Sequence, residues 1–195
     1  MLLSSRFEEA LIFATRLHAA QTRKESGTPY IAHLLAVAAL VLEYGGDEDL
    51  AIAALLHDAV EDQGGAPTRE AIRARFGDRV TAVVDGCTDA DTQPKPPWLA
   101  RKEAYLAHLP QAAPEVRLVS AADKLHNARS ILADYRQVGD DLWARFRGGK
   151  AGTLWYYRAL VTAYRQAGNN PLVEELDRTV SELERLVAAG ADEER

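Results

Sequence analysis

The chain has one cysteine, Cys87, so it can close no internal disulfide. Its stability must come from packing, and a reducing cytoplasm is the expected compartment. An excess of positive charge is also missing: the formal net charge is -6 at pH 7, with a sequence pI near 5.4. A general nucleic-acid binder needs a broad cationic surface, so no nucleic-acid partner is expected. That balance still allows a small anionic ligand, which one local Arg/Lys cluster or a metal can hold. No stretch reaches the ~20 apolar residues needed to span a bilayer. The most apolar run, Ile31 to Leu42, contains His33 and reads as a buried helix, so no membrane partner is expected either. Met1-Leu2-Leu3 turns polar at Ser4, Ser5 and Arg6, with no signal-peptide core. Strand-type alternation and internal repeats are absent too.

What is present is helical periodicity. With 195 residues, of which 47% are hydrophobic, the chain can bury a core and suits one domain, residues 1–195, better than two. Ser5 and Glu8 have the spacing of a capping box, and Phe7, Leu11, Ala14 and Leu17 then share one face. Pro29 suits the first turn of a second helix, which Gly45-Gly46 ends. Asp47 is placed to cap a third helix running to about Asp62 and stopped by Gly64-Gly65. Shorter helices follow Thr68 and Asp78, and residues 89–97 (DADTQPKPP) form the clear loop. Further helices are expected from Trp98 to Leu109, from Pro114 through Asp123 and Asn127, near Leu142, from Leu154 to Gln166, and from Pro171. Ala191 to Arg195 should fray. The fold class is all-α.

Four of the six residues in His57-Asp58-Ala59-Val60-Glu61-Asp62 are ionisable, directly after the apolar run Ala51 to Leu56. Burying charge is costly unless it is paired or bound to metal, so this ending asks for an explanation. In isolation it could be a solvated helix end. His33 sits in the apolar run Tyr30 to Val37, where a lone histidine is more often a hydrogen-bonded core residue. Asp123 follows Leu118 to Ala122, and an ion pair with Lys124 or Arg129 would explain it alone. Taken together, His33, His57, Asp58 and Asp123 offer two imidazoles and two carboxylates, a mixed set suited to a divalent manganese, iron or zinc ion.

The order His…His-Asp…Asp resembles the HD superfamily. Three blocks are similar to the hydrolase domain of RelA/SpoT-type alarmone enzymes, especially the stand-alone small alarmone hydrolases. They are Arg23 to His33 (RKESGTPYIAH), His57 to Asp62 (HDAVED) and Ala122 to Ser130 (ADKLHNARS). The resemblance covers roughly residues 5 to 165 and implies an HD-domain helical bundle of about eight to ten helices. It also implies removal of the 3′-pyrophosphate from a (p)ppGpp-type nucleotide, by hydrolysis without synthesis.

The resemblance assigns one divalent metal, manganese in this family, to His33, His57, Asp58 and Asp123. It assigns orientation and deprotonation of the attacking water to Glu61 and Asp62. Arg23 and Lys24 match a basic pair beside the nucleotide, where a guanidinium can stack and an ammonium can meet phosphate. Without the block that follows, both would read as exposed charge. Asn127 and Ser130 follow Asp123 on the same helix as candidates for ribose or phosphate contact. Lys150 and Trp155 lie where relatives place nucleotide-facing groups, although aromatics such as Trp155, Tyr156 and Tyr157 are more often core. The base stays open between guanine and adenine, and NADPH is a further substrate within the family. The competing readings are another HD nucleotide phosphohydrolase and a non-catalytic nucleotide-binding module.

Overall fold

Ser4 opens the first helix. It is extended (φ -101°, ψ -177°), and its Oγ accepts from the Arg6 N–H at 3.2 Å; α1 then spans Ser5–Leu17. This corrects the expected Ser5/Glu8 box by one residue. Only a residue outside the helix can turn its side-chain oxygen back on the first N–H groups, and Ser5 is already helical. The computed structural model describes residues 2–23, 27–88 and 96–193, the last three by backbone alone. Within these residues there are ten α-helices, two 3-10 segments and no strand. No helix among them is long and apolar enough to cross a membrane.

Pro29 does not begin the second helix. It forms an isolated antiparallel bridge with Thr22, while Arg23 N donates to Thr28 O at 2.8 Å and Tyr30 N to Gln21 O at 2.9 Å. The chain thus doubles back before α2, Ile31–Glu43. Gly45 and Gly46 end α2 as expected. Gly45 adopts φ +88°, and Gly46 N donates to Val41 O at 2.8 Å, the six-to-one bond of a Schellman end. A Cβ on Gly46 would lie 2.8 Å from that same Val41 carbonyl.

Asp47 caps α3, Glu48–Leu56, by accepting from Leu50 N at 3.1 Å. Every residue from Leu50 to Leu56 is buried, and a helix that is apolar all round belongs at the centre of its unit. It packs against α1, α2 and α6. The expected run to Asp62 is broken: α3 stops at Leu56, His57 and Asp58 form a turn, and α4 covers Ala59–Asp62. The Ala54 carbonyl, which a continuous helix would offer to the Asp58 N–H, lies 2.8 Å from His57 Nδ1. Next come α5 (Ala66–Phe76), with Pro67 in its first turn rather than a start at Thr68, and α6 (Asp78–Cys87).

Two compact units result. One comprises residues 1–95 and 112–123, so it contains α1 to α6 and the beginning of α8, Pro114–Val138. The other comprises residues 96–111 and 124–195. It holds α7 (Trp98–His108), the rest of α8, α9 (Gly149–Ala167) and α10 (Pro171–Glu193). The helix expected near Leu142 is the 3-10 segment Gly139–Arg145, and α9 starts five residues before Leu154. The expected loop falls largely on residues 89–95, outside the described residues, as do Glu194 and Arg195 of the expected frayed tail; α10 itself continues to Glu193. Leu172, Leu176, Val180, Leu183 and Val187 form the buried stripe of α10. Arg158 of α9 reaches Asp177, Ser181 and Glu184 along that helix.

The central position of α3 predicts an asymmetric response to core changes. Leu55→Ala should cost about 2–5 kcal/mol through a cavity. Ala53→Leu should cost about 1–3 kcal/mol through overpacking, while Leu35→Ala, at a site 44% exposed, should cost little. Urea unfolding midpoints at constant slope measure all three.

Candidate metal centre

Three elements of the first unit bring their polar groups to one point. His33 lies in the first turn of α2, His57 and Asp58 form the α3–α4 turn, and Asp123 lies on α8. The imidazoles are 1% and 3% exposed. His57 Nε2 is 3.1 Å from Asp58 Oδ2 and 3.7 Å from Asp123 Oδ1. His33 Nε2 is 3.2 Å from Asp123 Oδ1 and 3.7 Å from Asp58 Oδ2. Asp123 therefore faces the two imidazoles, while Arg129, one of the pairing candidates on its own helix, is matched with Glu175 at 3.0 Å.

The ring orientations are fixed from behind. His57 Nδ1 donates to the Ala54 carbonyl, which leaves the Nε2 lone pair aimed at the carboxylates, the usual support for a ligating imidazole. His57 Nε2 is buried and has no hydrogen-bond partner. Donor atoms of His33, His57 and Asp58 all fall within 4.8 Å of one another. This donor set fits a divalent ion, which hard carboxylate and borderline imidazole ligands accept together.

The same proximity sets the electrostatics of the cluster. Burial depresses His33 below the ordinary histidine value, although Asp123 pulls the other way. Burial also opposes charge on His57, but Asp58 and Asp123 outweigh it and raise His57 well above its ordinary value. Burial opposes the Asp58 charge as well, yet the His57 charge keeps Asp58 far below the usual carboxylate range. A proton on His57 thus does part of a cation's work. Tyr30, for which the sequence suggested no role, donates its hydroxyl to Asp58 Oδ2 at 2.5 Å, and its ring lies edge-on to His33. Burial and then the Asp58 charge push its pKa far up, so the phenol keeps its proton.

The HD domain family model matches residues 10–154, about three quarters of the chain. The chain belongs to the HD domain family. Among curated proteins it is 42% identical over 126 residues to the guanosine-3′,5′-bis(diphosphate) 3′-pyrophosphohydrolase MESH1 of Xenopus tropicalis, covering 63% of this chain and 68% of that one. The Homo sapiens protein of the same name is 40% identical over the same shares. A solved metazoan ortholog of SpoT, described as hydrolyzing ppGpp, superposes with a TM-score of 0.75 at 26% identity, covering 93% of this chain and 97% of that one.

The other residues singled out in the sequence are placed as follows. Half-buried Glu61 and exposed Asp62 lie on α4, just beyond the HD pair, and Asp62 Oδ2 accepts from Gln21 Nε2 at 2.8 Å. Arg23 is half-buried in the turn before α2, and Lys24 lies outside the described residues. Asn127, Ser130, Lys150 and Trp155 belong to the second unit. Ser130 Oγ donates to His126 O at 3.0 Å, and Lys150 Nζ is 2.7 Å from Asp140. Trp155 is 40% exposed whereas Tyr156 and Tyr157 are buried, which settles which of the three aromatics are core.

Because Asp58 and Asp123 raise His57 well above its ordinary value, a cation at these donors competes with its proton. The binding of a divalent metal should therefore release a proton from His57, and affinity should rise with pH until His57 is neutral. Calorimetric titration in buffers of different ionisation enthalpy counts that proton, and His57→Gln should abolish its release.

Proposed function

We propose that this HD domain removes the 3′-pyrophosphate of a (p)ppGpp-type nucleotide by hydrolysis. The carrying observation is the convergence of two buried imidazoles, the buried Asp123 and the half-buried Asp58 on one point, with Nε2-to-carboxylate distances of 3.1 to 3.7 Å. The relatives named as guanosine-3′,5′-bis(diphosphate) 3′-pyrophosphohydrolases support the substrate class. His33, His57, Asp58 and Asp123 are the proposed ligands, with manganese as the ion. When bound, such an ion supplies positive charge against phosphoryl oxygens and acidifies water.

The remaining chemistry falls to the chain's own groups. Glu61 and Asp62 orient one water and take its proton. The water oxygen bonds to the phosphorus carried on the ribose 3′-oxygen, the bond between that phosphorus and the 3′-oxygen breaks, and pyrophosphate leaves intact. The proton returns to the 3′-oxygen, which gives GDP or GTP. Arg23, Lys24, Asn127, Ser130, Lys150 and Trp155 are the proposed substrate-holding groups. Residues 1–195 are proposed to work as one hydrolase domain on a small cytoplasmic nucleotide, with no nucleic-acid partner.

Chelation with EDTA should abolish release of pyrophosphate from ppGpp and manganese should restore it, as followed by product chromatography; ppApp and NADPH run in parallel separate the base and phosphate preferences. Full turnover by metal-free protein would overturn the reading. Glu61→Gln should lower kcat at least ~100-fold with affinity for a non-hydrolysable analogue kept, because it removes only the basic oxygen.

A further inference from the structure

The polar groups around Asp62 converge on one amide, that of Gln21. Its Oε1 is 2.6 Å from His18 Nδ1 and accepts from Gln63 Nε2 at 2.5 Å. Its Nε2 donates to Asp62 Oδ2 at 2.8 Å. This arrangement fixes which end of the amide is which. Reversed, it would set an oxygen against the Asp62 carboxylate, which can only accept.

His18 is fixed by the same bonds. It caps the end of α1, is 2% exposed, and stacks on Tyr30 with ring centroids 5.3 Å apart. Its Nε2 is buried without a hydrogen-bond partner. A proton on Nδ1 lets the ring donate to Gln21 Oε1, and Nε2 faces the dry side. The Gln21 backbone is tied on both sides, its N–H to His18 O at 3.0 Å and its carbonyl to Tyr30 N at 2.9 Å. The amide is thus preset before any substrate arrives.

Asp62, by contrast, is an exposed carboxylate at the end of a four-residue helix. Left alone, its side chain would sample several rotamers, and a base must be aimed to be effective. We propose that Gln21, held by His18 and Gln63, is a positioning residue: it engages Oδ2 of Asp62 so that Oδ1 is the oxygen offered to the attacking water. This rests on the proposed role of Asp62 above.

A double-mutant cycle tests it, with kcat, KM, metal content and urea midpoint read for each protein. Gln21→Ala should lower kcat about tenfold or more, the scale of a hydrogen bond to a charged group, with KM within about twofold and metal content unchanged. Gln21→Met, which keeps the length without the amide, should give the same split and covers the case in which Ala loosens the turn. Gln21→Glu should be worse than either, since it sets a second carboxylate against Asp62. In an Asp62→Ala background, Gln21→Ala should cost nothing further. A slow Asp62→Ala protein together with a fully active Gln21→Ala protein overturns the positioning role alone, as does an equal loss in both backgrounds. An Asp62→Ala protein with undiminished kcat overturns the role of Asp62 and this inference with it.

Discussion

Two imidazoles and two carboxylates meet at the edge of an apolar core, and much of the first unit answers to that fact. Desolvating such groups costs several kcal/mol each unless opposite charge is supplied. The raised proton affinity of His57 and the hydroxyl of Tyr30 answer part of that cost. The apolar helices around the cluster raise the strength of every charge interaction within it, so the frame that makes these groups expensive also makes them effective. The Ala54 carbonyl ties the two functions together, since it belongs to the central helix and also aims His57.

The break between α3 and α4 follows from the same demand. His57 and Asp58 keep right-handed dihedrals in the turn (φ -60°, ψ -29° and φ -97°, ψ -3°), and their side chains meet with Nε2 and Oδ2 3.1 Å apart. Helix resumes at Ala59 and carries Glu61 and Asp62 just past the cluster. The proposed ligands and the proposed water-activating carboxylates thus fall in one stretch of six residues, the first two in the turn and the last two on α4.

The turn before α2 is a second consequence. Arg23, Thr28, Gln21 and Tyr30 are paired through their backbones. Tyr30 reaches Asp58 from this turn and Gln21 reaches Asp62. One short doubled-back segment, closed by the Thr22–Pro29 bridge, thus braces one carboxylate in the α3–α4 turn and another at the end of α4.

Helix existence, the Asp47 cap, the Gly45-Gly46 end and the apolar identity of α3 were all legible in the sequence, because each depends on residues within a turn or two of one another. The grouping of His33, His57, Asp58 and Asp123 was suggested by ionisable groups after apolar runs together with the resemblance to the HD pattern, and the structure brings the four together. The shift of the first cap from Ser5 to Ser4 and the break at His57 were not legible. Both turn on backbone dihedrals that neighbouring residues bias only weakly. The parts of Tyr30 and Gln21 were hidden for another reason: Tyr30 meets its carboxylate 28 positions away, and Gln21 meets its own 41 positions away. No local pattern encodes such a pairing. The sequence decided which groups needed partners, and the packing of α1, α2 and α3 decided which partners came within reach.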